Sequence, residues 1–231
     1  MNLRIIALSI SILSFSAILV SCEDLLPNVG LSEQEVVQGL KEALSVGTDT
    51  SVSQANKTDG YYQNQAIKIF FPEEAAVVQS VVSAVPGGNL LIDELILKLN
   101  RAAETAASEA GPIFKDAILG ITIGDAFAIL DGQDDAATQF LQTNTETELY
   151  TAFKPDIESA LSSVGAQQAW NEVITVYNSI PFVTPVNTDL ADYTTNEALD
   201  GLFFLVAEEE AKIRKDPLHR VSEILEKVFG S

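Results

Sequence analysis

The chain has 231 residues, 47% of them apolar and 20% charged, which gives length for a buried core and excludes a disordered polar chain. Its 33 acidic residues outnumber 13 basic ones, and a net charge of −20 argues against a general nucleic-acid binder. One cysteine excludes an internal disulfide or a cysteine-built zinc site, and one histidine leaves a single place for a His-dependent triad.

Met1–Arg4 is a short positive opening, followed by an apolar run of 16 residues from Ile5 to Val20. That run falls short of the roughly 20 residues that span a bilayer. It closes with Leu19-Val20-Ser21-Cys22, which resembles the bacterial lipobox. The resemblance implies cleavage before Cys22 and acylation of its thiol and new amino group. Several acyl chains anchor stably, since each buried CH₂ contributes roughly 0.8 kcal/mol. The expected organisation is a lipoprotein signal peptide at 1–21, a lipidated tether at 22–30 and a helical domain at 31–231. The expected location is the bacterial cell envelope, outside the cytoplasm, with the membrane as partner through Cys22. No further segment has 18 unbroken apolar residues, so no other membrane span is expected.

Ser32, with Glu35 three residues on, forms a capping-box signature. Val36, Val37, Leu40, Ala43 and Leu44 then set an apolar stripe, so a helix is expected from there towards Ala55. Lys57 to Tyr62 reads as a turn. Ile67, Ile69 and Phe71 alternate with Lys68 and Phe70, the period of a short extended segment at 67–71. Pro72-Glu73-Glu74 opens a helix that ends at Val85–Asn89. A long helix follows from Leu90 to about Ala110, stopped by Gly111-Pro112.

Short helices are expected at 112–119, 122–131 and 134–144, with Thr122 and Asp134 as caps. Pro155 should kink or break the next helix, so a separate one is expected to begin there. Another spans 166–179 and carries the lone Trp170. Pro181 and Pro185 rule out a helix at 181–186 and mark a second extended segment, open to pairing with 67–71. Helices from about Thr195 to Lys215 and from 218 to 229 complete the chain. The fold class is therefore all-α, a single domain of about eight or nine helices with two short extended segments.

Several stretches carry a family resemblance. They include Asn100-Arg101-Ala102-Ala103-Glu104, Pro112-Ile113-Phe114, Thr122 with Asp125-Ala126, and Phe153 with Pro155. The most specific part is Ala198–Phe203, Ala207-Glu208-Glu209, Ile213-Arg214, Asp216-Pro217, Arg220 and Lys227–Gly230. Together they resemble the bacterial envelope family called domain of unknown function 4197, over about Leu31 to Gly230. Gln65 stands where that family usually has proline, and Thr195 where it has an aliphatic residue. The resemblance implies a mainly helical secreted protein or lipoprotein. It implies no activity, so no catalytic residue is carried over.

The residues themselves offer few chemical motifs. Phosphate-loop, dinucleotide, hydrolase-elbow and H-E-x-x-H patterns are missing, and no cofactor is expected. His219, near Lys215 and Arg220, reads as a surface residue. Glu158-Ser159 and Gly165-Ala166-Gln167 faintly echo lytic transglycosylases, but Gln168-Ala169-Trp170 departs from their pattern. Asp131 to Asp135 lacks the EF-hand order, and capping by Asp134 or Asp135 explains it more simply than a metal.

Two side-chain groupings remain. Glu209, Arg214, Asp216 and Arg220 are candidates for an ion network locking the last two helices, against a solvated face of i,i+4 pairs. Tyr61, Tyr62, Phe70, Phe71 and Phe182 gather beside turns, either as a lid over the core or as the border of a ligand groove. Residues 22–211 hold 30 acids and 7 bases, whereas 212–231 hold 3 acids and 5 bases, so the basic end is expected to dock on the acidic body. The leading expectation is a lipid-anchored, non-catalytic binding or scaffolding module for an envelope protein or small molecule. The alternative is a carboxylate-dependent hydrolase acting on envelope polymers.

Overall fold

The capping chemistry read from the sequence sets the first boundary. The Ser32 hydroxyl accepts the Glu35 N–H while the Glu35 carboxylate accepts the Ser32 N–H, and α1 (Glu33–Ala55) follows. The structure, a computed structural model, describes residues 32–184, 186, 189–220 and 222–229. Cys22 and the stretches expected to be a signal peptide (1–21) and a tether (22–30) lie outside them. The remaining helices are α2 (Ala76–Ser83), α3 (Gly88–Ala106), α4 (Ala110–Leu119), α5 (Ile123–Leu130), α6 (Ala136–Ser163), α7 (Ala166–Asn178), α8 (Leu190–Lys215) and α9 (Glu223–Phe229). No strand occurs among the described residues. The all-α reading with eight or nine helices holds.

The 28-residue α6 is the axis of the fold and packs on α3, α4, α5, α7 and α8. Its buried residues Ala137, Leu141, Thr145, Leu149, Phe153, Ile157 and Leu161 recur every four positions. Each four-residue step advances the stripe by about 40° around the helix. The buried face therefore winds, and α6 turns different sides to different partners along its length. Near its start Ala137 meets Glu210 of α8, midway Tyr150 meets Asp192 of α8, and at its end Val164 meets Lys98 of α3. These pairs run α6 and α8 antiparallel.

Pro155 neither breaks nor ends this helix, contrary to the sequence expectation. Pro155 and Thr151, whose carbonyl loses its i+4 donor, both face solvent, where water replaces the missing bond. Phe153 and Ile157 on the opposite side are fully buried and hold the helix together across the gap. Gly111-Pro112 likewise sits in the first turn of α4, where a proline lacks no needed donor. The expected caps Asp134 and Asp135 make no side-chain cap bond to α6. Helix α8 begins at Leu190, earlier than expected, because Asp189 accepts the N–H groups of Ala191 and Asp192.

Among the described residues the two extended segments do not pair with each other. The backbone of Ile69 is satisfied by the Asn100 side chain of α3, which accepts its N–H at 2.9 Å and donates to its carbonyl at 2.7 Å. Val183 and Thr184 are instead held near α7, where the Tyr177 hydroxyl donates to the Thr184 carbonyl. Most buried side chains form one core, in which Phe114 meets Phe203 and Phe71 meets Trp170, each with ring centroids 5.8 Å apart. The basic C-terminal end does lie on the body: α9 packs on α1 and α8, and Lys215 pairs with Asp134.

Candidate functional site

Two buried carboxylates come first, since paired buried acids are what a hydrolase would need. Glu104 of α3 accepts the N–H groups of Tyr61 and Tyr62 on one oxygen and Arg101 on the other, at 2.6 Å. Arg101 continues to Asp59, also at 2.6 Å. Glu210 of α8 accepts the N–H groups of Ala137 and Thr138 and the Thr138 hydroxyl, so it caps α6 from another helix. Arg214 binds Glu210 and donates to the Ile129 carbonyl at the end of α5. Both acids are thus consumed in holding backbone to helix. Neither converges with the other in a cleft.

Asn100, Glu104 and Glu210 escaped the sequence reading as structural pins. The available signal was their register: Asn100 and Glu104 fall in line with the buried Ile92, Leu95, Leu99 and Ala103 of α3. A polar residue in an apolar stripe must find partners, because an unpaired buried polar group is costly.

The open surface is different. A cavity of about 560 Å³ lies between residues 70–74 and the first turns of α8. Phe70, about half exposed, stands on one lip, and Tyr193 reaches across to donate to the Phe70 carbonyl. Five carboxylates line it: Glu73, Glu74, Asp189, Asp192 and Glu197. Asp189 caps α8 and Asp192 accepts the Tyr150 hydroxyl, while Lys154 lies 3.7 and 3.6 Å from the two. The backbone N–H of Asp192, then Lys154, hold the Asp189 carboxyl below its ordinary value. Glu73, Glu74 and Glu197 have no paired cation among the described residues. Burial first, then Asp200, Glu73 and Glu74, push the Glu197 carboxyl up. Burial, then Glu197, Glu73 and Glu74, push the Tyr193 hydroxyl up as well.

Asp189 also lines a second groove of about 600 Å³, with Glu158, Gln167 and Asn171 at its rim and Trp170 at its floor. Glu158 and Gln167, singled out in the sequence, both line this groove, and both are exposed to solvent.

The aromatic candidates separate. Tyr61 and Phe71 are core residues, and the Tyr61 hydroxyl donates to the Ala198 carbonyl. Tyr62 is partly covered by Lys68, whose ammonium lies 4.3 Å from the ring centre. Phe70 and Phe71 line the acidic cavity. Phe182 is fully exposed with a left-handed φ of 68°, unusual for a bulky residue.

The charged candidates also take different partners. Glu209 pairs with Lys212, and Arg214 with Glu210. Asp216 caps Leu218 and meets His219, while Arg220 donates to the carbonyls of Ile213 and Arg214. The last turn of α8 is thereby tied to the segment after it by carbonyl bonds rather than by one four-residue ion network. Among the described residues no group of three His, Cys, Asp or Glu is placed to hold a metal ion, and no helix is long and apolar enough to cross a membrane.

A family model described as a protein of unknown function, DUF4197, matches residues 30–230, and the chain belongs to that family. No curated protein and no solved structure matches.

Proposed function

We propose that this DUF4197 protein is a lipoprotein, anchored through Cys22 in the bacterial cell envelope, and that it works as a non-catalytic binding module. The ligand class is a cation with an apolar part, such as a polyamine or a lysine- and phenylalanine-bearing peptide. The observation that carries this reading is the cavity between Phe70 and Tyr193. It sets three carboxylates without paired cations beside an exposed aromatic ring, and its volume of about 560 Å³ suits a small ligand. A cation entering there relieves the mutual repulsion of Glu73, Glu74 and Glu197, and the half-exposed Phe70, whose ring the Lys68 ammonium already approaches at 5.9 Å, offers apolar surface to the rest of the ligand. The lipobox-like Leu19–Cys22 supports the anchor.

Two measurements test it. Mass determination of the mature chain should give a fatty-acylated N-terminal Cys22, lost in Cys22→Ala. Native mass spectrometry of residues 23–231 with spermidine and a Lys-Phe peptide should show a bound species. That species should weaken in Glu73→Gln, Glu74→Gln and Glu197→Gln. Equal binding by all three variants, or no binding at all, removes the cavity from the reading.

A second reading, a carboxylate-dependent hydrolase, is favoured by the same Glu197. A carboxyl raised by burial and by the neighbouring Asp200, Glu73 and Glu74 is the kind of group that serves as a general acid. It requires that purified protein cleave envelope polysaccharide or peptide and that Glu197→Gln abolish cleavage.

A further inference from the structure

Helix α5 carries an apolar face that the fold leaves uncovered. Ile123, Gly124, Phe127 and Ala128 are exposed and share one side of the helix, while Ala126 and Ile129 on the other side are buried. Exposed Leu119 and Gly120 extend the strip at its start. Asp125 is turned into the Thr122 capping box, so no charge of α5 itself interrupts its exposed face. Lone exposed apolar residues are ordinary, but a leucine, an isoleucine and a phenylalanine in one strip form a contact surface.

The place of this strip says what covers it. Phe127 and Leu130 share an open groove with Val36, near the start of α1. The Lys41 ammonium donates to the Leu119 carbonyl at 2.7 Å. Helix α5 therefore lies beside residues 36–41, in the first turns of α1. Only nine residues, ten residue steps, separate Cys22 from Ser32, where α1 is capped. A chain of that length reaches at most about 35 Å.

We infer that the Leu119–Ile123–Phe127 face is a second membrane contact, seated in the interfacial layer of the bilayer that holds the acyl chains of Cys22. The inference rests on the lipoprotein reading. Asp131 and Asp134 border the neighbouring groove, and Lys215 is already paired with Asp134 at 2.5 Å, so anionic headgroups are not the attraction. The contact is apolar and insensitive to salt.

Cys22 is the only cysteine, and acylation consumes it, so an introduced cysteine is a unique labelling site. Ile123→Cys, Phe127→Cys and, as reference, Gln168→Cys on the exposed side of α7 are each labelled with an environment-sensitive fluorophore in the lipidated full chain. The chains are reconstituted into phosphatidylethanolamine–phosphatidylcholine vesicles with a doxyl quencher at a shallow acyl position. An interfacial helix face sits roughly 5–10 Å deep, so labels at 123 and 127 should be quenched at least about twofold, in low and high salt alike. The label at 168 should be unaffected. Chains that float with vesicles while labels at 123 and 127 stay unquenched overturn this inference and leave the anchor standing. Labels shielded from water without lipid quenching point to a second copy or a protein partner and also overturn it. Chains that neither carry acyl groups nor float overturn the anchor and, with it, the membrane face.

Discussion

Glu210 and Arg214, one turn apart on α8, fasten the end of one helix and the start of the next. Glu210 takes the first free N–H groups of α6, and Arg214 takes the last carbonyls of α5, while the pair itself closes at 2.8 Å. The loop Asp131–Asp135 between those helices is exposed or half-exposed and has no core of its own. Its geometry is set from α8.

Removing one member of such a pair strands the other. Both side chains are nearly buried, so Arg214→Ala should cost about 3 kcal/mol, in the range for breaking a buried ion pair. Arg214→Lys should restore little, because a point ammonium cannot serve Glu210 and the Ile129 carbonyl in a fork. Urea titration followed by helical circular dichroism checks both. A loss under 0.5 kcal/mol for Arg214→Ala, the scale of an exposed pair, refutes the assignment.

Asn100 and Glu104 do for residues 59–71 what Glu210 does for the α5–α6 loop. Asn100→Ala leaves the Ile69 N–H and carbonyl without partners, at about 2 kcal/mol. Amide hydrogen exchange should then speed up at Ile69 and, in Glu104→Ala, which removes the acceptor, at Tyr61 and Tyr62. Unchanged protection at those amides contradicts the pinning.

These pins mark the limit of what the sequence shows. Capping boxes at Ser32–Glu35 and Thr122–Asp125 were legible because donor and acceptor lie three residues apart. The cap of α6 was not, because its acceptor lies 72 and 73 residues away. The length of α6 was hidden for two reasons: its buried stripe winds instead of keeping one face, and Pro155 is harmless only because it faces water. The cavity was half visible. Phe70 and Phe71 stood out, but Glu73 and Glu74 read as helix-start acids, and Glu197 had no local pattern to mark it.

Gly201 records how closely α8 approaches the pinned loop. A Cβ there would lie 2.8 Å from Tyr61 Cε1 and 3.0 Å from Ile67 Cβ, and both neighbours are buried. Tyr61 is further fixed by its bond to the Ala198 carbonyl. Gly201→Ala should therefore destabilise by about 1–3 kcal/mol, despite alanine's better helix propensity. A melting temperature at or above that of the parent chain shows that the loop yields.

Thr194 and Thr195 give opposite expectations from adjacent positions. The Thr194 hydroxyl is buried with no hydrogen-bond partner among the described residues, whereas Thr195 donates to the Ala191 carbonyl at 2.6 Å. Thr194→Val exchanges an unsatisfied polar atom for a methyl group of similar shape, and should stabilise by about 1 kcal/mol. Thr195→Val loses a satisfied bond and should not stabilise. Denaturation midpoints of the two variants should move apart. A loss of stability in Thr194→Val reveals a partner for that hydroxyl.

Glu197 ties the cavity to pH. Its carboxyl lies above the ordinary 4.5 because it is part-buried and faces Asp200, Glu73 and Glu74. A carboxyl raised in the folded state binds its proton more tightly there than in the unfolded chain. Stability from this group is thus full below pH 4.5 and is lost as pH rises through the folded value. Above that value the ionised carboxylate opposes folding, and Glu197→Gln removes the opposition. The variant should melt higher than the parent chain at pH 7 and equal to it at pH 4. The difference should shrink in high salt, where Asp200, Glu73 and Glu74 are screened, leaving the part due to burial. A variant that melts lower at pH 7 shows that the carboxylate has a cationic partner, and the charge repulsion invoked for the cavity then fails.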